Sequence, residues 1–196
     1  QGIYAQIRLI EHLAKHFTCI AFDRRESGAS GGRVEAVSWA DYVAQAKGLL
    51  DHLEIPAAHI IGACMGCSPA IAFAVAHPQS TSSLLLYWPV GGPHYRLNSH
   101  ARFAEHLDYV RREGLPGVVS LVQSEGKPFN QDPRGGPWAV PINRDPEFAR
   151  GFASQEVNHY KSIVGAMCDG LFDRDTAPGA KPEDLLRVDA AALIVP

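Results

Sequence analysis

Residues 60–66 read IIGACMG and join a short apolar strand to a helix without a connecting loop. The residue at such an apex adopts a strained backbone conformation, so the residues two before it and two after it must be small. Gly62 and Gly66 occupy these two positions. The segment therefore predicts a sharp strand-to-helix turn that exposes the side chain of Cys64 above the edge of a sheet.

This turn gives Cys64 the surroundings of a nucleophile. The backbone N–H of Met65 is expected to point the same way as the thiol, where it can hold a developing oxyanion. The N-terminus of the following helix adds positive potential, which favours a thiolate. We therefore predict Cys64 as a nucleophile and Met65 as a backbone oxyanion donor. The alternative is a buried structural cysteine, a common fate of free thiols.

A second interpretation uses the same residues. Cys64 and Cys67 form a C-x-x-C pair at the start of a helix, a pattern typical of thioredoxin-like redox centres. This interpretation leaves Gly62 unexplained and does not need the long helical region that follows. We favour the nucleophile, with Cys67 as a small packing residue one turn below it.

The segments around the turn predict the fold class. Apolar runs at 17–22, 59–61 and 84–88 are typical of strands, and helical patterns separate them. Ser38 is predicted to cap the first of these helices in a capping box. Residues 190–195 return to strand character. This order predicts an α/β fold with a doubly wound, mostly parallel sheet that is covered on both faces.

The region after Gly92 has a different character. We expect helices there, with one starting at Asp145, and a loop over most of 114–141, where ten of 28 residues are Gly or Pro. No strand is predicted between Gly92 and Ala190. The region therefore reads as a helical insertion that lies over the sheet.

The segment Gly-Ala-Cys-Met-Gly at 62–66 resembles the G-x-S-x-G nucleophile elbow of the α/β-hydrolase fold superfamily. Cys stands in place of Ser, as in the dienelactone-hydrolase branch. Residues 22–30, His77-Pro78 and 192–196 also resemble segments of that family. The resemblance implies the following division of the chain: the first visible part of the hydrolase core at 1–92, a helical cap at 93–182, and a return to the core at 183–196.

The resemblance also implies a function. A small-molecule substrate with an ester, lactone or related acyl bond would be hydrolysed through an acyl-enzyme on Cys64, without a cofactor. The family's triad runs nucleophile, acid, histidine, and the last two would fall beyond Pro196. We therefore expect a fragment of a longer protein, cut at both ends and almost inactive alone. Trp88, His94 and His159 are candidate pocket residues. The alternative from another class is a non-catalytic binding module with this fold.

Composition excludes several other classes of protein. With 46% hydrophobic and 20% charged residues, the chain is not disordered, and a net charge of -3 disfavours nucleic-acid binding. The longest apolar run, 70–76, is too short to span a membrane. Four cysteines in 196 residues favour a reducing, cytoplasmic location. No ligand spacing joins the histidines, so no metal site is predicted, and nothing in the pattern predicts an oligomeric state.

Overall fold

The computed structural model describes residues 7–30, 32–176 and 179–196, with side chains from residue 8 onward. Eight helices and three strands are assigned in this part of the chain. In chain order they are α1 (Ile7–Leu13), α2 (Trp39–His52), β1 (Ala58–Ala63), α3 (Cys67–Ala76), β2 (Thr81–Tyr87), α4 (Pro93–Glu125), α5 (Ala139–Arg144), α6 (Pro146–Ala153), α7 (Val157–Leu171), α8 (Pro182–Leu185) and β3 (Ala191–Val195).

The described residues form two compact units. The helical unit comprises the described residues within 7–30, 32–35 and 102–164, and the sheet unit comprises those within 36–101, 165–176 and 179–196. These units do not coincide with the predicted hydrolase core and helical cap. The division into core and cap at 1–92, 93–182 and 183–196 stays a prediction. None of the described helices combines the length and the apolar character that a membrane crossing requires.

The sheet unit is built on three parallel strands in the order β1-β2-β3. In this register Ala63 lies opposite Tyr87, and Tyr87 lies opposite Val195, so the carboxyl ends of all three strands meet at one edge. Parallel strands joined by helices confirm the predicted α/β class. The same edge is where open α/β sheets usually place their ligands.

Helix α3 packs on β1 and β2, and helix α2 packs on α3. Ser38 Oγ accepts the Asp41 N–H and the Asp41 carboxylate accepts the Ser38 N–H, which confirms the predicted capping box. Helix α3 is apolar on nearly all sides, as expected for a helix enclosed in a core. Two clusters of buried residues result, and the partly buried Ile60 packs against both. The first consists of Cys67, Ala70, Ile71, Ala74, Leu84, Leu86 and Ala180. The second consists of Val43, Leu50, Ala72 and Phe73.

The helical unit packs around a polar pair. His106 and Tyr160 are both fully buried, and the Tyr160 ring lies edge-on to Trp138 and Phe152. Asp145 caps α6 by accepting two backbone N–H groups, as predicted. Among the described residues between 92 and 190 there is no strand, which confirms the predicted helical character.

Two of the predicted elements are wrong. Residues 17–22 are irregular rather than a strand, and Phe17 is 54% exposed. The run has strand-forming residues, but no described strand pairs with it, and strand propensity without a partner is weak. The predicted loop at 114–141 is helical up to Glu125, because α4 kinks at Gly114 (φ 69°) and then continues. The buried side chains beyond the kink hold this second part: Leu115, Val118 and Val122.

Candidate active site

The turn at the end of β1 has the predicted strand-to-helix form. The strand ends at Ala63, a single 3-10 turn covers Cys64–Gly66, and α3 follows at once. Cys64 has φ 53°, in the left-handed region that residues with a Cβ rarely adopt. Its side chain is exposed. A strained backbone at an exposed reactive side chain is typical of functional positions.

The two glycines of the turn have different roles. A Cβ on Gly62 would lie 2.5 Å from the Gly66 carbonyl oxygen, 2.7 Å from Cys67 Cα and 2.9 Å from Ala70 Cβ. Glycine is therefore required at this position, where α3 crosses close over β1. A Cβ on Gly66 would meet no described atom within 4 Å, and Gly66 has an ordinary helical φ of -65°. The expected steric need for a small residue is thus visible at Gly62 and not at Gly66.

Cys67 occupies a packing position, in line with its predicted role. It is buried, and its thiol donates to the carbonyl oxygens of Gly62 (3.3 Å) and Tyr87 (3.4 Å). Burial raises the pKa of this thiol, with a smaller contribution from Cys64 in the same direction. A buried thiol that is engaged by two carbonyls ties the turn to β1 and β2. Both features fit the predicted packing role of Cys67.

Met65 and Trp88 lie at the same sheet edge as Cys64. Met65 follows Cys64 in the first helical turn, where backbone N–H groups point outward along the helix axis. Trp88 comes directly after β2, next to the strand pair of Ala63 and Tyr87. It is 60% exposed, has φ 52°, and its ring stacks on Tyr87 at 4.9 Å. The indole is thus exposed at the carboxyl edge, and its place in a substrate pocket stays a prediction.

The two histidines predicted as pocket residues belong to different units. His94 lies exposed in the first turn of α4, in the sheet unit. His159 lies exposed on α7, in the helical unit, and its backbone N–H donates to Glu156. A cavity of about 380 Å³ lies between α2 and α3, and neither His94 nor Cys64 lines it. That His94 and His159 line a substrate pocket therefore stays a prediction.

The loop that resembles a family segment is closed by Asp23. Its carboxylate accepts the Ala29 N–H at 2.8 Å, and Ser30 Oγ donates to its carbonyl at 2.6 Å. Gly28 has φ 57°, and a Cβ there would lie 2.0 Å from the Asp23 carboxyl carbon. The left-handed φ favours glycine at this position, and the two hydrogen bonds to Asp23 make residues 23–30 a defined turn.

Sequence reasoning missed one cluster of potential ligands. His100, Cys168 and Asp169 offer a nitrogen, a sulfur and an oxygen that all lie within 4.8 Å of one another. Burial, and secondarily the charge of Asp169, raises the pKa of Cys168 to about 11, so the free thiol is protonated and donates to His100. Because 68 positions separate the histidine from the cysteine, no local spacing pattern could reveal this cluster.

Comparisons with known proteins agree with the fold. A family model described as the alpha/beta hydrolase fold matches residues 1–131. A segment of 48 residues is 52% identical to the 2-hydroxy-6-oxononadienedioate/2-hydroxy-6-oxononatrienedioate hydrolase of Paraburkholderia xenovorans strain LB400. The segment covers 24% of this chain and only 17% of that relative. The hydrolase of the same name from Cupriavidus pinatubonensis is 48% identical over 48 residues, with the same coverage.

Two solved structures share the fold at low sequence identity. An α/β-hydrolase enzyme from a Medee basin deep-sea metagenome library has a TM-score of 0.61 and 18% identity, over 99% of this chain and 66% of that one. The enol-lactonase of Burkholderia xenovorans LB400 has a TM-score of 0.53 and 18% identity, over 99% and 77%. The family model covers well over half of the chain, and the protein therefore belongs to the α/β-hydrolase fold family.

Proposed function

We propose that this chain carries the nucleophile of a hydrolase that cleaves an ester, lactone or related acyl bond, with Cys64 as that nucleophile. The observation that carries the proposal is the backbone of Cys64. It is exposed and left-handed (φ 53°) at a strand-to-helix turn whose close approach requires Gly62. Membership of the α/β-hydrolase fold family supports hydrolytic chemistry at this turn.

The proposed reaction has two covalent steps. The Cys64 thiolate attacks the substrate carbonyl carbon, and the carbonyl electron pair moves onto oxygen, where the Met65 N–H stabilises it. The tetrahedral intermediate then expels the alcohol or enol oxygen and leaves an acyl thioester on Cys64. A water molecule, after losing its proton to a base, hydrolyses the thioester and restores the thiol. No step requires an oxidant or a cofactor.

The second step needs groups that follow β3 in this family. The triad acid and histidine come after that strand in the family's chain order. We therefore propose that the 196 residues form the acyl-enzyme and then stall. Removal of one triad member leaves little activity, because the members act as a unit.

The relatives suggest two substrate chemistries. The enol-lactonase shares the fold and is named for a cyclic acyl substrate, which matches the proposed class. The hydrolase from Paraburkholderia xenovorans is named for an oxo-dienedioate, a dicarboxylate that bears a ketone carbonyl. Its 52% identity over 48 residues makes this the second candidate substrate class. Both classes present a carbonyl carbon that Cys64 would attack. A ketone carries no oxygen leaving group, so cleavage of the second class would break a carbon–carbon bond next to that carbonyl, and the departing carbon would take up a proton.

Pre-steady-state release of p-nitrophenolate from a short p-nitrophenyl ester tests the proposal. We expect a slow burst close to one equivalent per chain, with little turnover afterwards. Cys64→Ala should remove the burst, and Cys19→Ser, at a half-buried thiol of the helical unit, should keep it. A burst that survives Cys64→Ala places the nucleophile elsewhere and contradicts the proposal. Sustained turnover that depends on Cys64 contradicts the stall, and His94 and His159 then become the first bases to replace.

The binding-module alternative has a separate readout. If the chain only binds acyl compounds, an enol-lactone will raise the melting temperature in Cys64→Ala and in the unchanged chain alike, and no thiol will be acylated. A nucleophile instead gives a covalent mass increase that only the unchanged chain shows.

A further inference from the structure

His100, Cys168 and Asp169 bring three ligand types of a thiophilic metal ion together in the sheet unit. His100 lies on α4, and the other two are neighbours near the end of α7. The Cys168 sulfur lies 3.4 Å from His100 Nδ1. Cys168 is buried, His100 is half-buried and Asp169 is exposed, so the cluster reaches from the core to solvent.

The distance between sulfur and nitrogen suits a shared tetrahedral ion. A zinc ion binds cysteine sulfur at about 2.3 Å and histidine nitrogen at about 2.0–2.1 Å, which puts the two ligand atoms about 3.5 Å apart in a tetrahedral site. The observed 3.4 Å between Cys168 and His100 needs little adjustment. The Asp169 carboxylate, on an exposed side chain, completes a set within 4.8 Å.

A second observation concerns the orientation of the imidazole. His100 Nε2 lies 3.1 Å from the backbone oxygen of Phe172. A carbonyl oxygen only accepts hydrogen bonds, so Nε2 carries the proton and donates it. The lone pair of His100 is therefore on Nδ1, the nitrogen that faces the Cys168 sulfur. Metal-binding histidines usually donate their other ring N–H in this way, and the bond fixes the tautomer.

We propose that His100 Nδ1, Cys168 Sγ and an Asp169 carboxylate oxygen bind Zn²⁺ or a similar thiophilic divalent cation. A water molecule would fill the fourth position on the solvent side. Binding replaces the thiol proton, which is released to solvent as the S–Zn bond forms. The thiolate and the imidazole select against Mg²⁺ and Ca²⁺, which prefer oxygen ligands. This site is independent of the chemistry proposed for Cys64.

The simpler account of the geometry is an S–H···N hydrogen bond without a metal. Under that account Asp169 acts on Cys168 only through its charge, and no ion joins its carboxylate to the cysteine and the histidine. The participation of Asp169 is therefore the feature that separates a metal site from a hydrogen bond.

Titration of the reduced protein with Co²⁺ tests the proposal. Cobalt replaces zinc in such sites and gives a near-ultraviolet thiolate charge-transfer band and the strong visible bands of a tetrahedral ion. We expect both bands to saturate at one Co²⁺ per chain, and added Zn²⁺ to remove them. Absence of the charge-transfer band overturns the proposal.

Variants assign the ligands. Asp169→Asn changes an exposed side chain, keeps the fold, and should weaken Co²⁺ binding at least about tenfold, since even outer-shell partners contribute that much. Cys168→Ser should remove the charge-transfer band. Cys19→Ser and Cys64→Ala should keep it, and loss of the band in either places the metal at another thiol and overturns the proposal. Unchanged affinity in Asp169→Asn also overturns it.

Discussion

The turn at Cys64 and the buried pair of the helical unit place reactive groups in opposite settings. Cys64 is exposed on a strained backbone, whereas His106 and Tyr160 are 0% exposed on regular helices. His106 Nδ1 donates to the Arg134 carbonyl at 2.8 Å, and its Nε2 accepts the Tyr160 hydroxyl at 2.6 Å. Both ring nitrogens of His106 are therefore engaged in hydrogen bonds within the protein. The proposed nucleophile thus differs from the buried pair in both exposure and backbone strain.

The acid–base properties of the buried pair support this contrast. Burial lowers the pKa of His106 to about 4 and raises the pKa of Tyr160 well above its ordinary value. Both groups are therefore neutral near pH 7. A histidine that is neutral and fully hydrogen-bonded stabilises the helical unit and does not exchange protons with a substrate.

The largest expected effect concerns the close approach at the turn. Gly62→Ala places a methyl group 2.5 Å from the Gly66 carbonyl oxygen, against backbone that cannot move away. We expect a loss of about 3 kcal/mol or more in the free energy of unfolding, measured by urea denaturation. The matched variant Gly66→Ala adds its methyl to open space at a helical φ and should change stability by less than about 1 kcal/mol. Equal losses in both variants would contradict the geometry.

The next effect is a pH dependence of stability that originates at His106. Its pKa is about 4 in the folded protein and 6.5 ordinarily, so the unfolded chain takes up the proton first as the pH falls. The contribution is fully present above about pH 6.5 and is lost progressively towards pH 4, by about 2–3 kcal/mol in total. His106→Gln should flatten this slope, and the exposed control His159→Gln should keep it. A slope that is unchanged in His106→Gln would refute the assignment.

A smaller effect isolates one hydrogen bond of the pair. Tyr160→Phe keeps the buried ring and leaves His106 Nε2 without a donor, which should cost about 1–2 kcal/mol of unfolding free energy. Tyr109→Phe is the matched control, because Tyr109 is only half-buried and its ring contacts to Arg112 and Arg134 remain. A stability for Tyr160→Phe equal to that of the control would show that the bond contributes nothing.

The sequence predicted the sheet unit well because its signals are local. The capping residue Ser38, the short apolar strands and the glycine at 62 each act on their immediate neighbours, and the structure has them as predicted. The helix start at Asp145 was predictable for the same reason. Such features depend on a few adjacent residues, which a linear pattern displays directly.

The features that were missed depend on residues that are distant in the chain. Residues 17–22 have strand-forming side chains without a described partner strand, and α4 continues past Gly114 because tertiary packing buries Leu115. The cluster at His100 also depends on distant residues, because His100 lies on α4 and its partners lie near the end of α7. Propensity predicts these places poorly, since tertiary contacts decide them.

The most direct test of the account is to identify the atom that is acylated. The chain is incubated briefly with a p-nitrophenyl ester, quenched in acid to preserve thioesters, digested, and mapped by tandem mass spectrometry. The account predicts one acyl group per chain on the peptide that contains Cys64, and no such group on that peptide in Cys64→Ala. Acylation mainly at Cys19 or another residue, or none at all, would contradict the assignment of Cys64 as the nucleophile.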